Sequence, residues 1–151
     1  MRKNCSMYCL TLFAIILALF IQIYAQDSSQ KYRVIINSTN PVSQLTREQL
    51  SSYFLKRVTK WSNGSQIMPV DLIKTSDVRA AFSEDVLHRR VSSVEAYWHK
   101  QIFSGRGIPP AQVENDSLVI LYIGRHPDGI GYIDANRKIE GLNVKGIKVV
   151  Q

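Results

Sequence analysis

The stretch VDLIKTSDVRAAF, residues 70–82, is an extended apolar run that stops, crosses a few polar residues and restarts as an amphipathic helix. Ser76 or Asp77 opens that helix, and Val78, Ala81, Phe82 and Val86 share one of its faces. A strand feeding a helix N-terminus is a place where an anion can sit, because the first backbone amides have no intrahelical partner and the helix dipole is positive there. The unit also fixes the fold class, since strand-to-helix turns belong to sheets covered by helices.

Upstream, YRVIIN (32–37) is a strand by its β-branched content, closed by Asn40-Pro41. Thr46 with Gln49 fits a capping box, and Leu50, Tyr53 and Phe54 form the inward stripe of the helix it starts. Asn63-Gly64 marks a turn, and IMPVDLI (67–73) is extended, with Pro69 indicating an edge or a strand start. Downstream, Ser92 or Ser93 opens a helix whose stripe is Val94, Tyr97, Trp98 and Ile102, ending at Ser104-Gly105. SLVILYIG (117–124) fits two templates: its branched residues favour a strand, whereas Asp116 as cap with Leu118, Leu121 and Tyr122 favours a helix. GIGYID and IKVV complete the set as strands. With no repeat and no low-complexity tract, the class is α/β.

The chain has 151 residues, 45% hydrophobic and 21% charged, enough for one domain and too few for two. Residues 1–25 stand apart from it. Met1-Arg2-Lys3 is a positive start, CLTLFAIILALFIQI (9–23) an apolar core, and Ala25 a small residue for cleavage, the pattern of an export signal cut after Ala25. The alternative is an uncleaved membrane anchor. Cys5 and Cys9 both lie in this segment, so the domain of residues 26–151 has no disulfide, no thiolate metal ligand and no cysteine nucleophile. An exported domain without a disulfide suits a bacterial periplasm. The Asn-x-Ser/Thr matches at Asn37, Asn63 and Asn115 are chance matches to a short pattern there.

Without Arg2 and Lys3 the basic count falls from 19 to 17 against 12 acids. That excess favours an anionic partner, or simply keeps the domain soluble, since the charges are scattered. Export argues against nucleic acid. His88, His99 and His126 lack metal-ligand spacing, Glu84-Asp85 point to different sides of a helix, and no Gly-x-Ser-x-Gly elbow occurs, so neither a metal site, a cofactor nor an enzyme is expected.

VIINSTNPVSQLTREQLSSYFLKRVTKW, the SNG turn, PVDLI with its following Phe82, YW…FSGRG and PDGIGYI occur in an order that resembles the phosphate-binding proteins of bacterial ABC transporters, of the type 2 periplasmic solute-binding superfamily. The match runs from Arg33 to Ile133. It implies one lobe of such a protein, a mixed sheet flanked by helices, in which the strands at Val34 and Ile130 are hinge strands and the opposite lobe is largely missing. The family's anion cradle, Arg-Ser-Asp-Gly-Ser-Gly-Thr, falls on Leu72 to Val78. Leu72 takes the arginine position, Thr75 and Asp77 the glycine positions, Val78 the threonine position, and Ser76 alone matches.

The resemblance thus implies a small-anion site, phosphate by analogy, built from Lys74, Thr75 and Ser76, with a second copy or another protein supplying the opposite wall. The lost arginine and glycines weaken it. Asp77 opposes it too: a negative charge about 4 Å away costs on the order of 1 kcal/mol even in water. The competing expectation is a periplasmic adaptor or sensor input, which has lost phosphate and binds a protein partner at the missing-lobe face. Membrane contact is expected only through an uncleaved residue 1–25 segment.

Overall fold

The computed structural model describes residues 30–151; the expected signal segment and its cleavage site at Ala25 lie outside the described residues. Seven strands and four helices follow one another as β1 (Tyr32–Asn37), β2 (Gln44–Thr46), α1 (Arg47–Phe54), β3 (Met68–Leu72), α2 (Asp77–Asp85), α3 (Val91–Phe103), β4 (Ala111–Val113), α4 (Asp116–Arg125), β5 (Gly129–Asp134), β6 (Val144–Gly146) and β7 (Lys148–Val150). Among the described residues no helix is long and apolar enough to cross a membrane.

The main sheet runs β4-β3-β5-β1-β6 and is mixed. Its parallel half is β4, β3 and β5, and β1 pairs antiparallel with both β5 and β6. The strands expected as hinge strands, β1 and β5, are thus neighbours at the centre of the sheet. A parallel pair cannot be joined by a tight turn, so β3 reaches β4 through α2 and α3, and β4 reaches β5 through α4. Their helices cover the sheet and bury Val34, Ile36, Leu50, Val70, Leu72, Phe82, Val119, Ile123 and Ile130, each no more than 2% exposed. A second sheet of two strands joins β2 to β7 in parallel.

The capping box at the start of α1 is present: the Thr46 hydroxyl takes the Gln49 amide and the Gln49 side chain takes the Thr46 amide. Leu50, Tyr53 and Phe54 are buried as its spacing requires. Pro69 lies at the second position of β3, which has neighbours on both sides, so it marks a strand start and not an edge. Helix α3 starts at Val91, ahead of the expected serines, with Arg90 at the cap position and no capping side chain. Val94 and Trp98 are buried, but Ile102 is 48% exposed.

The segment with two templates is a helix. Asn115, not Asp116, caps α4, and the buried face is Val119, Ile120 and Ile123. Leu118 and Leu121 look outward, because a segment apolar on every side has no stripe from which to choose a face. Gly131 in β5 has a packing reason: a Cβ there would stand 2.8 Å from Val70 Cγ1 and 2.9 Å from Val119 Cγ1, so only glycine lets α4 sit this close.

Candidate functional site

The C-terminal ends of β3 and β4 lie side by side, with Leu72 opposite Val113 and the Ile73 amide bonded to the Val113 carbonyl at 3.0 Å. Each strand turns there into a helix, β3 into α2 and β4 into α4. Two helix N-termini consequently open on the same recess, about 430 Å³ in volume. Leu72, 1% exposed, and Ile73 give it an apolar floor. Its polar rim is Thr75 and Ser76 from the first turn, Glu114, Asn115, Asp116 and Ser117 from the second, and Arg137 from the loop after β5.

Both turns are closed by capping side chains. Ser76 Oγ accepts the Arg79 amide at 3.3 Å, and Asn115 Oδ1 accepts the Leu118 amide at 3.1 Å. Each cap satisfies one amide, while the earliest amides of the helix still lack intrahelical partners. Arg137 Nη2 donates to Ser117 Oγ at 3.0 Å, placing a guanidinium at the mouth. Asp116 is anchored from the other direction, with its Oδ2 accepting the Asp134 amide at 3.1 Å.

Of the three residues expected to hold an anion, Thr75 and Ser76 line the recess together. Lys74 is exposed and lies outside its lining. Asp77 is not part of the lining either: it borders a different recess with Lys31, Ala80, Ala81 and Glu84 on the outer side of α2. The carboxylates that do face the space are Glu114 and Asp116, which sequence reasoning passed over. Asn115, Ser117 and Arg137 were missed as well. The second strand-to-helix turn was hidden by the ambiguity of SLVILYIG, and nothing local ties Arg137 to Ser76.

One turn along α2 from Ser76, the helix turns a cation inward. Arg79 is fully buried, with Nη2 3.2 Å from Asp71 Oδ2 on β3. Asp71 Oδ1 accepts the Leu72 amide at 2.9 Å and a short hydrogen bond from the Tyr132 hydroxyl. The guanidinium faces Asp71 through charge, since none of its three nitrogens makes a hydrogen bond of good geometry. Burial pushes the Asp71 carboxyl above its ordinary range, with Arg79 and the Tyr132 hydroxyl pulling it back. Burial and then the neighbouring Asp71 charge raise the Tyr132 phenol well above its own. Tyr132 stacks on Phe82 with ring centroids 3.9 Å apart, so the polar group sits within an aromatic wall.

Among the described residues no group of three or more His, Cys, Asp or Glu is arranged to hold a metal. No family model and no curated protein matches the sequence. Solved structures do match. An ABC-type phosphate transport receptor from Vibrio cholerae superposes with a TM-score of 0.62 at 22% identity, over 79% of this chain and 46% of that one. PstS from Borrelia burgdorferi gives 0.58 at 17% identity, over 79% and 47%. The described residues therefore have the fold of one lobe of a periplasmic phosphate-binding protein, and the chain spans about half the length of these structures.

Proposed function

We propose that this chain is an exported solute-binding lobe that takes a small oxyanion, with phosphate the first to test, in the recess between the starts of α2 and α4. One observation carries the proposal: two helix N-termini, capped by Ser76 and Asn115, share one recess with the Arg137 guanidinium at the carboxyl ends of parallel strands. Ligands of open α/β sheets bind at such ends. Thr75, Ser76 and Ser117 supply hydroxyls, the first amides of each helix supply donors, and Arg137 supplies charge, with Lys74 close by in sequence.

Glu114 and Asp116 limit the affinity for a fully deprotonated anion by repulsion. A protonated oxyanion brings an O–H that a carboxylate accepts, which favours phosphate over sulfate in this recess. The opposite wall comes from a second copy or another protein. The second proposal, an adaptor or sensor input in the periplasm, has those same carboxylates in its favour, because a protein partner with a basic surface would meet them.

Titrating phosphate calorimetrically into residues 26–151 at low salt, with sulfate as the control, separates the two. Saturable binding at micromolar phosphate, lost in Ser76→Ala and Arg137→Gln, is the expected outcome. Absence of heat at millimolar phosphate sinks the anion proposal and leaves the adaptor.

A further inference from the structure

The end of α3 and the loop after it expose apolar side chains that no core requires. From Ile102 to Ile108 every residue is exposed, with Phe103 92%, Ile108 71% and Ile102 48% open to solvent. The turn is tight: Gly105 has φ 65° and donates to the Ile102 carbonyl, and Arg106 donates to the Gln101 carbonyl. The loop is held at its base, where Lys56 Nζ bonds the Pro109 carbonyl at 3.3 Å. A fixed turn thus presents an aromatic ring that almost nothing in the protein covers. Such exposure marks an interaction surface more often than chance.

The charged residues of the segment that carries this tip have one sign. Lys100 and Arg106 are exposed beside it, Lys56 lies at its base, and no Asp or Glu occurs from Ala96 to Val113. A convex apolar turn ringed by cations fits a partner that is negative at its surface, apolar beneath, and able to flow around a protruding side chain. We infer that the Phe103–Ile108 tip inserts into the interfacial region of an anionic lipid bilayer, with Lys100 and Arg106 at the headgroups. This is a membrane contact separate from residues 1–25. An acidic protein offers the same charge, but it would need a preformed pocket for a ring that already stands clear of its own fold.

Bromolipid quenching of Phe103→Trp in the full-length chain tests the inference, because the two native tryptophans, Trp61 and Trp98, are each only 5% exposed. Leu142→Trp is the control, at another exposed site, and reports any approach to the bilayer caused by residues 1–25 alone. With vesicles containing phosphatidylglycerol, emission at position 103 shifts to the blue and is quenched by brominated chains, while position 142 is unaffected. Adding Lys100→Gln and Arg106→Gln weakens this binding about fivefold for each cation removed. Equal quenching at both positions, none at either, or the same quenching at position 103 in neutral phosphatidylcholine overturns the inference. So does a shift at position 103 that a soluble acidic protein produces and anionic vesicles do not.

Discussion

The two ends of the first turn of α2 face opposite worlds. At Ser76 the helix opens on a wet recess with hydroxyls, amides, two carboxylates and one guanidinium. At Arg79, three residues on, it faces a dry contact with Asp71 and Tyr132. The cation of this turn points into the core, where it neutralises a buried carboxylate. Under the proposed function a solute in the recess relies on Arg137 and on helix dipoles, while the strand beneath carries a buried ion pair. If the proposed site is right, recognition and rigidity fall to different residues one turn apart.

The largest effect should come from breaking the dry side. Arg79→Met leaves Asp71 buried with only Tyr132 and the Leu72 amide, and should cost about 3–5 kcal/mol in urea denaturation. Adding Asp71→Leu should recover most of that loss, because the pair then disappears together. A single substitution with no measurable cost would show that the pair is not buried in solution.

The same carboxyl gives the fold a pH signature. With the folded pKa of Asp71 raised above the unfolded value, the native state holds its proton longer, so the stability that Asp71 contributes is fully present below the unfolded value and is lost as pH rises through the folded one. Asp71→Asn should flatten this decline across the acid range. If wild type and variant follow parallel curves, Asp71 is not the group responsible.

On the wet side the effects are smaller. Ser76→Ala removes the cap of α2 and should lower stability by about 1 kcal/mol, readable as a thermal shift. Asp116→Asn keeps an oxygen for the Asp134 amide while removing a charge from the recess, so phosphate should bind more tightly by about 1 kcal/mol, or roughly fivefold, by calorimetry. Asp77→Asn, on the far side of α2, should change phosphate affinity less than Asp116→Asn does. The reverse order would mean that the solute sits over the outer recess.

Local rules in the sequence carried much of the fold. Thr46 and Gln49 announced their helix through a reciprocal cap, and YRVIIN through branching, because each signal is complete within a few residues. The short strands β2, β4 and β6 escaped notice, since three residues carry no period and exist through their pairing partners. The candidate site was half legible. Ser76 and Thr75 stand in the turn that the sequence singled out, whereas Asn115 and Arg137 join them only through the parallel pairing of β3 with β4 and the loop after β5. Arg79 was hidden among the polar positions of its helix. Its one signal was Asp71, a carboxylate inside an otherwise apolar strand, which has to find a partner when buried.

The central pairing joins Tyr32 to Asp134, and the small sheet joins Gln44 to Lys148. Strands about a hundred residues apart must therefore meet before the core can close, and the loop entropy for doing so is lost before any of those contacts forms. A chain emerging N-terminus first cannot complete this lobe until β7 is available to pair with β2. Folding should therefore be slow for a domain of this length, with the central strands of the main sheet unpaired until late.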